Sequence, residues 1–228
     1  MPKGWMIDNN DPARLEIAER ASKLGIIGSP DKASHHLGTI TLANGKVITA
    51  HVVHAVDAII TDGNEIVMIN RLHDPGMGKP ALPGGLIDPI TGGDVETAVQ
   101  AAAREANEEA GVDLKGAKAT VIGTRNMNRP FDVRIAMNDS LKEKYGINEG
   151  DAFMVSTQAV RFEVPDLVNT KLIAGDDAKP GSARRIKISS LTRETVGIPD
   201  HFDMIKATFP DLLQAKTPRQ NRSMPRPR

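Results

Sequence analysis

An α/β sandwich built as one domain is predicted by three features of this sequence: paired β-prone segments around turn dipeptides, a capped central helix, and a second helix near the chain's end. At 228 residues the chain suits one domain with extensions better than two. Its apolar residues are mainly aliphatic and only 3% of the chain is aromatic, so Ala, Val, Ile, Leu and Met must build the core. No internal repeat is visible.

The elements follow in order. Asp11 and Pro12 read as N-cap and first helical position, and Leu15, Ala18, Ala21 and Leu24 recur at helical spacing, giving a helix from about 12 to 24. Thr39 to Leu42 and Val47 to Ala50 flank Asn44-Gly45 as a leading hairpin. Val52 to Ile60 and Glu65 to Ile69 form a second hairpin across Thr61-Asp62-Gly63-Asn64. Residues 73–93 are dense in Gly and Pro, which argues against a regular element and for a loop whose backbone approaches a ligand.

Asp94 supplies an N-cap for a helix to about Ala110, with Val95, Ala98, Val99, Ala102 and Ala106 on its apolar face and Gly111 as its stop. Strands follow at 119–124, 152–163 and 184–188, and a last helix near 200–215 is entered through Pro199-Asp200. The organisation is an N-terminal extension over 1–50, the main domain over 51–216, and a basic, Pro-rich tail over 217–228 that reads as disordered.

Composition excludes several functions. Without cysteine there is no thiol catalysis, disulfide framework or thiolate metal site, so a metal must be held by oxygen or imidazole. Lys plus Arg equals Asp plus Glu at 29 each, which leaves no overall footprint for nucleic acid or an anionic membrane. No segment approaches the roughly 20 apolar residues that span a bilayer, and the N-terminus lacks the apolar run of a signal peptide, so a cytoplasmic protein is expected. Arg219, Arg222, Arg226 and Arg228 lack the interleaved aromatics of an RNA-binding tail.

The chemistry concentrates in Arg104-Glu105-Ala106-Asn107-Glu108-Glu109-Ala110-Gly111-Val112. On a helix Glu105, Glu108 and Glu109 share a face. Like charges at this spacing repel, and negative charge at a helix C-terminus opposes the macrodipole, so something else must stabilise the cluster. A hard divalent cation with oxygen ligands does so, whereas an isolated run of this kind is ordinarily a solvated acidic face. Context favours the cation: Glu96 lies eight residues before Arg104, Gly111-Val112 closes the helix, and Leu82-Pro83-Gly84-Gly85 precedes it on a glycine-rich loop.

Together these residues resemble the box of the Nudix hydrolases, G-x5-E-x7-R-E-U-x-E-E-x-G-U with U a bulky aliphatic residue; Glu96, Arg104, Glu105, Glu108, Glu109, Gly111 and Val112 fall at its spacing. The box's first glycine would fall at Ile90. Either Asp88 to Gly92 lies in an insertion and Gly84-Gly85 takes the role, or Gly92 or Gly93 takes it after a deletion. Ala106 is smaller than the usual U. The resemblance implies a Nudix-type α/β/α sandwich with a mixed sheet, here with the helix and hairpin extension in front. It implies Mg²⁺, with Mn²⁺ able to substitute, held by Glu105 and Glu109, by Glu108 directly or through water, and by the Gly84 carbonyl. Arg104 and Glu96 would orient these ligands by ion pairing.

A second segment, Ala174-Gly175-Asp176-Asp177-Ala178 followed by a strand and Asp200-His201-Phe202, resembles the ADP-ribose pyrophosphatase branch of that family, although the branch's usual aromatic is replaced around Arg184-Arg185-Ile186. The resemblance implies Mg²⁺-dependent attack of a metal-polarised water on ADP-ribose to give AMP and ribose 5-phosphate, with Asp177 a catalytic candidate and Asp176 near the substrate. A turn-capping role for the two aspartates fits the sequence equally. Arg71 and Arg125 are candidates for diphosphate contacts through charge-assisted hydrogen bonds. His35, His36, His51 and His54 receive no role, because none has a carboxylate partner at metal-site spacing in the sequence, and Phe131, Phe153 and Phe162 read as core before adenine platforms.

The same box serves hydrolases of NADH, dinucleoside polyphosphates or nucleoside triphosphates, and a silent Nudix-fold nucleotide sensor is the non-enzymatic alternative. Retention of all three carboxylates favours the enzyme. The partner is a small nucleotide, with neither nucleic acid nor membrane, and the sequence is compatible with a homodimer.

Overall fold

The computed structural model describes residues 4–8, 10–23, 31–74, 76–90, 94–124, 133–175 and 178–214. Along the chain lie β1 (Gly4–Met6), α1 (Pro12–Lys23), β2 (Ser34–Thr41), β3 (Val47–Thr61), β4 (Glu65–Asn70), β5 (Pro80–Ala81), β6 (Gly84–Leu86), α2 (Ala98–Ala110), β7 (Lys118–Thr124), β8 (Val133–Ala136), α3 (Lys142–Tyr145), β9 (Ala152–Glu163), β10 (Arg184–Lys187), α4 (Pro199–Thr208) and α5 (Pro210–Gln214).

Everything is arranged around β3. Where the sequence reads two strands, 47–50 and 52–60, the structure has one of 15 residues. His51, the polar residue between the two apolar runs, stays in the strand because its ring is buried against Asp151, with Nε2 3.3 Å from Oδ2, and packs edge-on to His36. One edge of β3 pairs in parallel with β9 from Ala50↔Ala152 to Thr61↔Glu163 without a break. The other edge is shared in succession by β2, β6 and β4, all antiparallel, so the sheet is mixed. The boundary expected between residues 50 and 51 falls inside β3.

Alternation along β3 sends its side chains to two layers. Val56, Ala58 and Ile60 pack with Ala102, Ala106 and Ala110 of α2, while Ile59 packs with Met204 and Ile205 of α4. This is the expected α/β/α sandwich. Helix α1 closes the N-terminal hairpin by setting Ile17 and Ala21 on Ile40, Ile48 and Val52. Phe153 and Phe162 are fully buried core residues.

Several local expectations are corrected. Helix α2 starts one turn later than Asp94 suggested: Thr97 is its N-cap, accepting the Gln100 N–H at 3.2 Å while Gln100 Oε1 accepts the Thr97 N–H at 2.9 Å. This reciprocal capping box satisfies two backbone donors where Asp94 alone would serve one. The Gly- and Pro-rich segment does contain regular structure: β5 pairs with β4, and in β6 the glycines let the chain lie flush against β3. The last helix is split at Phe209, since the following Pro210 disfavours helical geometry in the residue before it. Strands β1 and β8 and helix α3 have no counterpart in the sequence reading, and residues 217–228 lie outside the described residues.

The histidines given no role pair with carboxylates and with one another. Besides the His51–Asp151 contact, His35 Nε2 lies 2.6 Å from Asp31 Oδ1 and its Nδ1 3.1 Å from His54 Nε2. Burial, reinforced by His35, pushes His54 down to about 4, so it is neutral at physiological pH. Among the described residues no helix is long and apolar enough to cross a membrane.

Replacing Thr97 by Ala removes one half of the capping box and is expected to cost about 1 kcal/mol of stability. Chemical denaturation of the two proteins measures it.

Candidate active site

The last turns of α2 face β6. Glu105 and Glu109 are buried at 9% and 7% exposure, whereas Glu108 is exposed. What lets buried carboxylates approach a strand is the pair Gly84-Gly85. Gly84 lies opposite Asp57 and Gly85 opposite Val56 in the ladder with β3. A Cβ on Gly85 would overlap Glu105 Oε1; on Gly84 it would overlap the Val56 carbonyl and lie 2.6 Å from Asp57 Oδ1. Neither glycine has positive φ, so close approach, not turn geometry, demands them. Gly84 donates its N–H to Glu109 Oε2 at 2.8 Å. Of the two alignments left open by the sequence, Gly84-Gly85 is the pair set against the carboxylates, while Gly92 and Gly93 lie outside the described residues.

Arg104 is the hub of the charges. Its Nε and Nη2 meet both oxygens of Glu96 at 2.9 and 3.0 Å, Nη1 reaches Glu105 Oε1 at 2.7 Å and Glu108 Oε2 at 2.9 Å, and Nη2 also donates to the Leu86 carbonyl at 2.9 Å. The Glu96 hydrogen bonds, helped by Glu105 and opposed by burial, push the guanidinium still higher, so it stays charged. Glu105 is pushed up by burial, which Arg104 only partly offsets, and by repulsion from Glu108 and Asp88. Asp88 accepts from Tyr145 Oη at 2.7 Å and Lys144 Nζ at 2.8 Å, and donates its own N–H to Glu96 Oε2 at 3.0 Å. The α3 residues Lys144 and Tyr145 thereby anchor the segment that follows β6.

The C-terminus of α2 is closed by chain from beyond β9. Ile173 donates its N–H to the Ala110 carbonyl at 2.8 Å and Gly175 to that of Glu109 at 3.2 Å, and a Cβ on Gly175 would overlap the Glu108 carbonyl. Ala178 forms an isolated bridge with Arg71, so the ends of the Gly175–Ala178 segment sit at α2 and at the end of β4. Asp176, Asp177 and Arg125 lie outside the described residues.

Two residues to which the sequence reading gives no role belong to this neighbourhood. Asp57 is the one charged residue in the apolar run Val52 to Ile60, a signal that could have been read, and it is 6% exposed beside Gly84. His201 of α4, 2% exposed, accepts the Leu82 N–H at Nδ1 at 3.0 Å and brings Nε2 to 3.3 Å from Asp57 Oδ1.

The donor set fits a hard divalent cation in kind: only carboxylate and backbone oxygens, two of the carboxylates buried, and a Glu105 whose burial Arg104 offsets only in part. In position the carboxylates are paired off rather than convergent. Among the described residues no three His, Asp or Glu side chains surround one point that could hold a metal, because Arg104 draws Glu105 and Glu108 while the Gly84 N–H holds Glu109.

Residues 52–144 match the family model described as NUDIX domain, a stretch under half the chain. Among solved structures the chain is similar to a bifunctional NMN adenylyltransferase/ADP ribose pyrophosphatase from Francisella tularensis complexed with AMP and a Mn ion, at 23% identity over 70% of this chain, with a TM-score of 0.42. This chain spans 41% of the length of that protein. It is also similar to the NUDIX domain of Shewanella oneidensis NrtR complexed with ADP ribose, at 16% identity over 68% of this chain and 84% of that one, TM-score 0.44. A C. elegans Ap4A hydrolase follows at 14% identity over 68% and 93%, TM-score 0.39. No curated protein matches. At such identities and scores nothing about substrate carries over.

Because folding raises the Glu105 pKa, the folded protein binds that proton more tightly than the unfolded chain. The group therefore costs stability at neutral pH, and the cost is relieved as pH falls through the raised value toward the ordinary glutamate range. Glu105→Gln, which keeps the acceptor facing Arg104, is expected to raise the melting temperature of the protein in EDTA at pH 7. A lower melting temperature would refute the burial cost.

Proposed function

We propose that this chain, whose residues 52–144 match the NUDIX domain model, is a divalent-metal-dependent hydrolase of a nucleoside diphosphate derivative, with ADP-ribose as the favoured substrate. The observation that carries the reading is the packing of Glu105 and Glu109 onto Gly84-Gly85 within that domain. Glu105 and Glu109 would hold Mg²⁺, or Mn²⁺ in its place, with Glu108 as a further or water-mediated ligand and the Gly84 carbonyl completing the donors. When bound, the cation supplies Lewis acidity and charge neutralisation at the diphosphate.

The protein's own residues prepare the site. Arg104, fixed by both oxygens of Glu96 and by the Leu86 carbonyl, sets the side chains of Glu105 and Glu108, and the Gly84 N–H sets that of Glu109. Hydrolysis joins the oxygen of one water to a phosphorus of ADP-ribose and breaks that phosphorus's bond to the bridging oxygen, giving AMP and ribose 5-phosphate, with release of two protons when both phosphomonoesters are fully ionised. Asp177 is the candidate to take the water's proton, Asp176 to face the substrate, and Arg71 and Arg125 to contact the diphosphate. The preference for ADP-ribose rests on the Ala174-Gly175-Asp176-Asp177-Ala178 segment, whose Gly175 abuts the carbonyl of Glu108.

Activity is expected to vanish in excess EDTA and return with Mg²⁺ or Mn²⁺; full turnover in EDTA would contradict the metal requirement. Glu109→Gln is expected to lower kcat by about two orders of magnitude or more with the melting temperature preserved. ADP-ribose should be hydrolysed with a higher kcat/KM than ATP, dGTP, diadenosine polyphosphates or NADH, read out by quantifying AMP and ribose 5-phosphate. A competitor ahead by about tenfold, some 1.4 kcal/mol of transition-state preference, would overturn the choice of substrate but not the hydrolase.

A further inference from the structure

We propose that His201 is a positioning residue for the candidate metal site: from the far layer of the sandwich, it fixes the strand that presents Gly84 to Glu109. The inference rests on the reading of Glu109 and Gly84 as metal-site residues. It begins with a gap in the ladder. The chain pairs with β4 through Pro80 and Ala81, then with β3 from Gly84 onward, and Leu82 and Pro83 make the passage between the two partners. Pro83 has no N–H, and its carbonyl accepts from the Ala58 N–H at 2.8 Å. The buried Leu82 N–H finds its acceptor on another element, at His201 Nδ1. An unmet buried donor costs about 1–3 kcal/mol, so this acceptor bears on where the passage sits.

The same ring reaches the site from its other side. With Nδ1 accepting, the neutral imidazole carries its proton on Nε2, the atom 3.3 Å from Asp57 Oδ1. Asp57 is the ladder partner of Gly84, and its Oδ1 lies 2.6 Å from where a Cβ of Gly84 would stand. One buried ring thus touches the residue two before Gly84 and the residue facing it, while Gly84 itself donates to Glu109. Its two hydrogen-bonding contacts are with Leu82 and Asp57, so its action runs through the strand. It also lies outside the 52–144 match, on α4.

The test compares His201→Phe, which keeps a ring of similar size but offers no acceptor, with His201→Asn, which places Oδ1 near the position of Nδ1 but loses packing volume. Amide exchange at Leu82 and Gly84, Mn²⁺ affinity by paramagnetic resonance on the protein with metal alone, and kcat and KM on ADP-ribose are measured for each. The Phe variant should lose protection at both amides, bind Mn²⁺ about tenfold more weakly and lose about tenfold in kcat with KM little changed, and the Asn variant should restore most of each. A merely structural histidine predicts the opposite order, Phe preserving the site better than Asn, and that result would overturn the proposal. If the Phe variant does not fold, Asn and Ala are compared, and equal amide protection in the two overturns it as well. Should the wild-type protein bind no Mn²⁺ and hydrolyse no nucleotide, the functional reading fails, and amide exchange alone decides whether His201 holds the strand.

Discussion

The contact on which the rest of this structure depends is that between two glycines and two carboxylates. A strand with side chains at positions 84 and 85 would hold α2 off the sheet, because the space on one side is filled by Glu105 and on the other by Val56 and Asp57. With hydrogen there instead, β6 adds to the edge of β3 and its outward N–H meets Glu109. Two carboxylates of the acidic face of α2, Glu105 and Glu109, are thus buried against backbone, while Glu108 stays solvated. Backbone can answer carboxylates at this range because an N–H donates to one while neighbouring carbonyls remain available to a cation.

That arrangement carries an electrostatic cost which Arg104 meets only in part. One guanidinium serves Glu96, Glu105, Glu108 and the Leu86 carbonyl, so several hydrogen bonds share the entropy of fixing a single side chain. The Glu96 pair is bidentate, and it ties the segment before α2 to the middle of the helix. Glu105 nevertheless stays in conflict with its burial. A buried charge that its partner offsets only in part is destabilising for folding alone.

The sequence made the centre of the site legible and left its supports hidden, for a physical reason. Carboxylates three and four apart on one helix are local, so spacing alone puts Glu105, Glu108 and Glu109 together, whereas Glu96 precedes the N-cap Thr97 and its pairing with Arg104 is legible only through the resemblance of the motif. Asp57 and His201 meet across 144 positions of chain and two layers of the sandwich, and no local pattern announces such a pair. Strand β3 was misread as two because burial of His51 depends on Asp151, contributed by the segment that leads into β9. The N-cap of α2 was placed at Asp94 when Thr97 offered a reciprocal partner in Gln100; that signal was local and was available.

The C-terminal end of α2 shows how a helix tolerates negative charge where its dipole disfavours it. Two orphan carbonyls of the last turn, those of Glu109 and Ala110, accept from Gly175 and Ile173, and Gly111 adopts φ 67° to cap the helix with its N–H directed at Asn107 and Ala106. Occupied by donors, these carbonyls add less negative potential to the site than free ones would. Gly175 is required there because its Cα approaches the Glu108 carbonyl too closely for any side chain. The glycine of the Ala174-Gly175-Asp176-Asp177-Ala178 segment therefore has a complete explanation in helix termination, independent of substrate. The same packing sets the two described ends of the segment apart: Gly175 lies on the last turn of α2, and Ala178 bridges Arg71 at the end of β4.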